Sequence, residues 1–314
     1  MHVHWAEPVV TIFTPAKLNL FLEILRKRDD GFHEIETLMA PVARWDTLRF
    51  EATAEPLLRC ECRWALTQHF PAVIAGECAQ AGARGEPYSL PSEKDNLALR
   101  AAARLREAAG VRAGGKIELI KRIPMAAGMA GGSSDCAAAL VAASIAWGLN
   151  WSRERLAGIG AELGSDVPFF FSQQPAVCSG RGERIAPQLS LAPLYFVIVQ
   201  PPTGLSTPAV YGHCRPAVEP RRVVPLISAW RSGRLAELGK LLFNRLEAAA
   251  EQISPWVGRL RKEFNRYDFL GHQLTGSGSA YFGLCRSARH ARRLANALRG
   301  RGFATALAVS GVTS

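Results

Sequence analysis

Residues 124–135 of the chain read Pro124-Met125-Ala126-Ala127-Gly128-Met129-Ala130-Gly131-Gly132-Ser133-Ser134-Asp135. This segment lies between a predicted strand, Ile117 to Ile123, and an alanine-rich predicted helix, Ser133 to Trp147. Small residues let a ligand approach the backbone closely, and a helix N-terminus presents unpaired N–H groups, so the segment is typical of a phosphate-binding loop. Its two serine hydroxyls could cap the helix, bind phosphate oxygens or help to hold a magnesium ion.

The loop matches neither of two common nucleotide-binding motifs. It lacks the G-K-[ST] ending of a Walker loop, and no G-x-G-x-x-G pattern opens the helix that follows. A glycine-rich turn of this kind, taken alone, is as consistent with tight packing as with phosphate binding. The interpretation therefore depends on the rest of the chain.

Strands are predicted before the loop. Val9 to Phe13 and Leu18 to Leu25 are rich in β-branched and large apolar residues, which favours two strands separated by Thr14 to Lys17. Apolar residues resume at Leu38 to Val42. Residues 51–92 show no sustained period and are interpreted as strands with an irregular insertion.

Helices are predicted on both sides of the loop. Apolar residues recur at a spacing of four between Leu97 and Ala109, which indicates a helix that begins at an Asp95 cap and ends at Gly110. Ser152 is the predicted cap of another helix, which ends before residues 164–168.

The second half of the chain predicts a separate α+β domain. A buried strand at Leu194 to Val199 is followed by helices near residues 234–250 and 255–267, and then by strands at residues 272–274 and 281–285. A helix capped by Ser287 and a strand at Ala304 to Val309 complete the order, which matches a split βαβ, ferredoxin-like plan. We therefore predict an α+β fold with domains at residues 1–175 and 176–314.

Composition limits the class of protein. With 48% hydrophobic residues the chain can bury a core, and its net charge of +11 favours anionic partners without choosing among them. The first residues lack the basic start and apolar run of a secretory signal, and the seven cysteines are scattered. We expect reduced thiols, a cytoplasmic protein and no membrane partner.

Two further segments carry a resemblance. They are Pro15-Ala16-Lys17-Leu18-Asn19-Leu20 and Leu274-Thr275-Gly276-Ser277-Gly278-Ser279-Ala280. With the glycine-rich loop between them, and with matches at residues 30–33, 95–97 and 164–170, the chain resembles the GHMP kinase superfamily. The resemblance implies a two-domain GHMP kinase fold, with an N-terminal ATP-binding α+β domain and a C-terminal ferredoxin-like one.

The resemblance also implies roles for particular residues. Lys17 and Asp166 match the catalytic pair, and residues 124–134 match the loop that binds the phosphates of ATP, with Mg²⁺ bridging them. The residues that match contacts to a cytidyl substrate are Asn19, Phe32, His33, Thr207, Pro208 and Tyr211. Among these, His33 would bind the cytosine edge, and Phe32 and Tyr211 would enclose the ring.

Two departures from the family pattern bear on these roles. Phe32 stands where the family has tyrosine, although stacking requires only the ring face. Ala126, Ala127 and Ala130 stand where family loops are richer in glycine, so we expect ordinary backbone angles there or a displaced loop.

The function implied by the resemblance is ATP-dependent phosphorylation of the 2-hydroxyl of a cytidine-diphosphate-linked methylerythritol, in the non-mevalonate isoprenoid pathway. One alternative is another GHMP kinase, acting on homoserine, mevalonate or a sugar. A second is a non-catalytic RNA-binding protein, although Arg289, Arg292 and Arg293 are spaced as a solvated helix face. We expect a small-molecule substrate, no nucleic acid partner, and a monomer or weak homodimer.

Overall fold

The computed structural model describes residues 1–66 and 89–312. Strands and helices alternate in blocks along the chain. The strands are β1 (His2–Ala6), β2 (Val9–Lys27), β3 (His33–Thr53), β4 (Leu58–Trp64), β5 (Gly114–Lys121), β6 (Ala176–Gly180), β7 (Arg184–Pro187), β8 (Tyr195–Val199), β9 (Phe243–Asn244), β10 (Gly271–Leu274), β11 (Tyr281–Cys285) and β12 (Leu307–Ser310). The helices are α1 (Leu97–Ala109), α2 (Gly131–Ala146), α3 (Arg153–Leu163), α4 (Phe169–Ser172), α5 (Thr207–His213), α6 (Val224–Arg231), α7 (Leu235–Leu241), α8 (Glu247–Ile253), α9 (Pro255–Phe264) and α10 (Ala288–Gly300).

The larger sheet is built around two long antiparallel strands. Its main path runs β1-β2-β3-β5-β4, while β6 pairs with β3 and β7, and β9 pairs with β2. Helix α2 packs on β2 and β3 and contacts α1 and α3. Because α2 is buried around most of its circumference, its sequence is alanine-rich rather than amphipathic. The start of α2 is therefore fixed deep in the domain.

The smaller sheet has the order β10-β11-β8-β12, and all its pairings are antiparallel. Phe196 and Ile198 pack towards the larger sheet, whereas Val197 and Val199 pack with Leu294 in the core formed by helices α8, α9 and α10. Burial on both faces explains the unbroken apolar run of β8. The arrangement confirms the predicted α+β class and the ferredoxin-like order of the second half.

Several element bounds differ from the predictions. The two predicted N-terminal strands form a single strand of 19 residues, β2, with register shifts after Pro15 and Asn19. Helix α1 is capped by Asn96, whose side chain accepts a hydrogen bond from the Ala98 amide, and not by Asp95, which accepts one from Ser92. The predicted helix at 234–250 is divided by β9 into α7 and α8.

The predicted irregular insertion lies partly outside the described residues, which resume at residue 89. Within the described part, β4 pairs in parallel with β5, as Cys60 lies opposite Ile117. The domain boundary at residues 175 and 176 stays a prediction, and β6 and β7, directly after it, belong to the larger sheet.

Candidate active site

Three segments that are far apart in sequence meet at the start of α2. The Lys17 amide of β2 donates to the Met129 carbonyl of the glycine-rich loop at 3.1 Å. On the other side, the Ser279 and Ala280 amides donate to the loop carbonyls of residues 126 and 127 at 3.2 and 3.1 Å. The loop is thus held between the first strand block and the C-terminal glycine segment.

Two glycines make this contact possible. Gly128 has a φ of 72°, and a Cβ atom there would lie 2.0 Å from the Thr275 carbonyl oxygen. Gly276 has a φ of 55°, and its Cβ would lie 3.0 Å from the Gly128 carbonyl oxygen and 3.3 Å from Lys17 Nζ. Any side chain at either position would separate the two loops.

A cavity of about 880 Å³ opens over this junction, and its size suits a small-molecule site. Most of the predicted site residues line it: Lys17, Asn19, Phe32, His33, Pro124, Met125, Ala126, Ala127, Gly128, Ala130, Gly131, Gly132, Ser133, Asp166, Thr207, Pro208 and Tyr211. Met129 and Ser134 are not part of the lining. Met129 is buried in the core between the two sheets.

The predicted catalytic pair lies at one wall of the cavity. Lys17 Nζ is 3.6 Å from Asp166 Oδ2, and the lysine side chain is 4% exposed while the aspartate side chain is 30% exposed. Asp166 lies in the turn between α3 and α4, and its Oδ1 faces Gly182, where a Cβ would be 3.7 Å away. A partly exposed carboxylate in this position can accept a proton from a hydroxyl bound in the cavity.

Asn19 lies directly behind Lys17. Its Oδ1 accepts a hydrogen bond from Lys17 Nζ at 2.5 Å, and its Nδ2 donates to Thr37 Oγ1 at 2.9 Å. The Asn19 amide N–H in turn donates to Thr275 Oγ1 at 3.0 Å. Asn19 therefore orients the lysine. It also lines the cavity, where the resemblance implies that it contacts the substrate.

The two serines of the loop have different surroundings. Ser133 lies in the cavity lining, on the side of the turn that carries Asp166. Ser134 is fully buried, donates from Oγ to the Pro15 carbonyl at 2.6 Å and contacts the Thr14 hydroxyl. Because its amide is also bound to the Ala130 carbonyl, Ser134 ties α2 to β2, and its expected contact with a phosphate stays a prediction.

Two loop alanines adopt the left-handed conformation. Ala126 has a φ of 48° and Ala130 a φ of 54°, so the expectation of ordinary backbone angles is wrong for these two positions. Helix α2 begins at Gly131 and not at the predicted Ser133. Its N-cap residue is Ala130, whose side chain forms no capping hydrogen bond. The strain is compensated by the contacts that hold the loop on both sides.

Replacing Ala130 by glycine is expected to increase the free energy of unfolding by about 1 kcal/mol, because a Cβ in the left-handed region costs about 1–2 kcal/mol. Chemical denaturation of Ala130→Gly measures the effect. Ala127→Gly is the matched control, since Ala127 has no positive φ and should lose stability. Equal destabilisation by both changes would contradict the assignment of strain to Ala130.

The opposite end of the cavity is aromatic. The rings of His33 and Tyr211 are 5.3 Å apart between centroids, and Phe32 is 51% exposed. Partial burial, with the positive charge of Lys27 nearby, lowers the pKa of His33, so the imidazole is neutral at pH 7 and has one donor and one acceptor nitrogen. This wall can enclose a flat ring and bind its polar edge.

Two cations at this end were not predicted from the sequence. The guanidinium of Arg181 lies 4.9 Å from the centroid of the Phe32 ring, and Lys27 also lines the cavity. Within residues 1–66 and 89–312, neither side chain forms an ion pair. The sequence signal that could have indicated Arg181 is its place between two glycines, Gly180 and Gly182, which both adopt positive φ in the structure.

The described residues include no group of three or more His, Cys, Asp or Glu side chains that could hold a metal ion. In the described part of the chain no helix has the length and apolar character needed to cross a membrane.

Comparison with known proteins agrees with this geometry. Residues 96–174 match the GHMP kinases N terminal domain, and residues 226–304 match the GHMP kinases C terminal family. The chain is 37% identical to 4-diphosphocytidyl-2-C-methyl-D-erythritol kinase of Pelotomaculum thermopropionicum, over 91% of this chain and 93% of the relative.

Solved structures show the same relationship. A crystal structure of 4-(cytidine 5'-diphospho)-2C-methyl-D-erythritol kinase is similar with a TM-score of 0.76 and 32% identity, covering 97% of this chain and 100% of that one. A homoserine kinase from Cytophaga hutchinsonii shares the fold, with a TM-score of 0.71, 16% identity, and coverage of 100% of this chain and 97% of that one.

Proposed function

Because the chain belongs to the 4-diphosphocytidyl-2-C-methyl-D-erythritol kinase family of the GHMP kinases, we propose that it transfers the γ-phosphoryl group of ATP to the 2-hydroxyl of that cytidyl alcohol. The observation that carries the proposal is the single cavity that joins the Lys17–Asp166 pair and the glycine-rich loop to the aromatic wall. The reaction is a step of the non-mevalonate isoprenoid pathway.

ATP would bind with its phosphates on the glycine-rich loop. Gly132 leaves space for the backbone to approach a phosphate, and the first N–H groups of α2 lack partners within the helix. Mg²⁺, bound with the nucleotide, would neutralise phosphate charge, and the Ser133 hydroxyl is the group of the loop best placed to contact either.

Phosphoryl transfer requires mainly positioning and charge neutralisation. Asp166 accepts the proton of the substrate hydroxyl while the hydroxyl oxygen forms a bond to the γ-phosphorus of ATP. The bond between the γ-phosphorus and the β–γ bridging oxygen breaks, and ADP is released. Lys17 lies beside Asp166 and stabilises the charge on the transferred group. Asn19 fixes the lysine in this position.

The aromatic wall would bind the cytidyl part of the substrate. Phe32 and Tyr211 offer ring faces for stacking, and neutral His33 offers hydrogen bonds to the cytosine edge. Thr207 and Pro208 begin helix α5, which carries Tyr211. Arg181 and Lys27 add positive charge beside this wall, which suits the diphosphate of the substrate.

We expect the protein to act in the cytoplasm as a monomer or weak homodimer. The cysteines in the described part of the chain are all free, which is typical of a reducing compartment. Arg289, Arg292 and Arg293 lie on the exposed side of α10, as their spacing predicted.

The decisive experiment is incubation of the protein with ATP, Mg²⁺ and the cytidyl alcohol, followed by mass spectrometry of the products. We expect a substrate that has gained one phosphoryl group, and ADP. Homoserine, mevalonate and galactose are the control acceptors. Phosphorylation of one of these in preference to the cytidyl alcohol would overturn the proposed substrate while leaving the kinase class intact.

The aromatic wall gives a sharper test of the substrate. Tyr211→Ala should raise KM for the cytidyl alcohol by about 5- to 150-fold, because stacking on one aromatic face contributes about 1–3 kcal/mol. Phe32→Tyr is the matched control and should change little, since the ring face is kept. Steady-state kinetics would reject the cytosine site if folded Tyr211→Ala kept the kcat/KM of the unmodified protein.

A further inference from the structure

A buried ionic network lies behind the glycine-rich loop, outside the cavity. Lys121, the last residue of β5, is 1% exposed, and its Nζ donates to Oδ2 of Asp46 and, at 2.5 Å, to Oδ2 of Asp135. Asp46 belongs to β3 and Asp135 to the first turns of α2. None of the three side chains contacts the cavity, so the proposed chemistry does not use them directly.

The network connects the two ends of the loop. Asp46 Oδ1 accepts hydrogen bonds from the amides of Arg122 and, at 2.9 Å, Ile123, which are the residues that enter the loop. Asp135 directly follows the loop at Ser134. One ammonium, that of Lys121, therefore joins the carboxylate that holds the loop entrance to the carboxylate at the loop exit.

Lys121 also lies directly below the start of α2. A Cβ atom at Gly131 would be 3.2 Å from Lys121 Nζ and 2.9 Å from Ile123 Cγ2. Gly131 is the first residue of the helix and part of the cavity lining. A displacement of the lysine would therefore be transmitted to the backbone that faces the nucleotide.

Stability alone is a poor explanation for this network. Two carboxylates share one ammonium in the interior, and Asp135 Oδ1 has no hydrogen-bond partner within the described structure. Burial, reinforced by the neighbouring Asp46, raises the pKa of Asp135 to about 7, against the opposing effect of Lys121. Apolar residues of similar volume often stabilise a protein at least as well as a buried ionic group.

We infer that Lys121, Asp46 and Asp135 are positioning residues that hold the glycine-rich loop in the conformation that binds the nucleotide. The inference rests on the proposed role of the loop in binding ATP. It predicts that weakening the network lowers nucleotide affinity and loosens the loop, while the cytidyl end of the cavity, which is formed by residues outside the network, keeps its affinity.

The test measures binding rather than turnover, so that it does not depend on the identity of the phosphorylated alcohol. Calorimetry with Mg²⁺ and the non-hydrolysable imido analogue of ATP reports on the loop, and cytidine diphosphate reports on the aromatic wall. For Asp135→Asn, which keeps the shape and removes the charge, we expect analogue affinity to fall by about tenfold or more, corresponding to about 1.4 kcal/mol. Hydrogen exchange of residues 124–134 should become faster.

A matched control separates positioning from general loss of stability. Leu105→Ala removes a fully buried side chain from α1 in the same core without touching the network, so it should lower the melting temperature and leave analogue affinity unchanged. A folded Asp135→Asn protein with unchanged affinity and unchanged loop exchange would overturn the inference.

A second variant decides the matter if Asp135→Asn does not fold. The triple change Asp46→Asn, Lys121→Met and Asp135→Leu leaves no charge stranded, and the amide oxygen introduced at position 46 can still accept hydrogen bonds from the loop amides. We expect this protein to fold and to bind the analogue weakly. If the triple variant binds the analogue as tightly as the unmodified protein, or if it also fails to fold, the network serves folding and the inference is overturned. Failure of the cytidyl alcohol as a substrate would refute the proposed function but would not change these binding results.

Discussion

Asp166→Asn is expected to lower kcat by about 10²–10⁴-fold, the range by which a positioned proton acceptor accelerates a reaction. Asparagine keeps the size of the side chain and its place in the turn, but it cannot accept the hydroxyl proton. KM for ATP should change little, since Asp166 is not one of the loop residues proposed to bind the phosphates and its proposed partner is the substrate hydroxyl. Single-turnover kinetics measure the chemical step directly.

Asp29→Asn is the control for this prediction. Asp29 is an exposed carboxylate in the turn between β2 and β3, outside the cavity lining, so its removal should leave kcat unchanged. Thermal melting establishes that both variants are folded. A near-normal kcat for folded Asp166→Asn would remove this residue from the proposed mechanism.

Lys17→Ala should reduce turnover to a similar degree, with an additional loss of stability. Lys17 is almost fully buried, and its removal leaves Asn19 Oδ1 without its strong donor and Asp166 without its neighbouring charge. The two variants are therefore distinguished by their melting temperatures rather than by kcat. Equal melting temperatures would show that the lysine is less tightly held than the hydrogen bond to Asn19 indicates.

The sequence predicted the fold class and the segments of the site because both are encoded in short stretches. The periodicity of β8, β11 and α10 is complete within each element, and the predicted bounds of β11 agree with the structure. The segments at residues 15–20, 124–135 and 274–280 were matched to the family by their residue types. In the structure, the amides of Lys17, Ser279 and Ala280 join these segments by hydrogen bonds to loop carbonyls.

What the sequence did not predict depends on contacts between distant residues. The left-handed angles of Ala126 and Ala130 contradict the preference of alanine, and they exist because strands and loops on both sides hold the backbone. The residues next to Ser134 in the sequence are typical of a serine that binds phosphate. Contacts to Thr14 and Pro15 nevertheless place its side chain in the interior. A short stretch of sequence does not identify contact partners that lie more than a hundred residues away, as Thr14 and Pro15 do from Ser134.

The ends of elements were misjudged for a related reason. The prediction placed residues 14–17 between two separate strands, whereas a register shift after Pro15 lets one strand continue through them. Asn96 and Asp95 are both good helix caps, and only the geometry of the chain selects Asn96.

Gly132→Val is expected to weaken ATP binding by about 10- to 150-fold. Gly132 lines the cavity near the start of α2, and the nearest atom to a Cβ there would be Leu97 Cδ1 at 3.4 Å, so the protein itself has room for a side chain. The branched side chain would instead occupy the space of a phosphate and prevent its hydrogen bonds to the backbone. Each hydrogen bond to a charged group is worth about 1.5–3 kcal/mol, which corresponds to that loss of affinity.

Gly158→Val provides the matched control for this loss, because it introduces the same side chain at a glycine within α3, where no atom lies within 4 Å of the new Cβ. Both changes add a β-branched residue to a helix, so both should alter stability to a similar extent. Only Gly132→Val should raise KM for ATP, and KM for the cytidyl alcohol should stay the same in both. If Gly132→Val binds the imido analogue of ATP as tightly as Gly158→Val does, the loop is a packing turn, and the phosphates of ATP must bind elsewhere in the cavity.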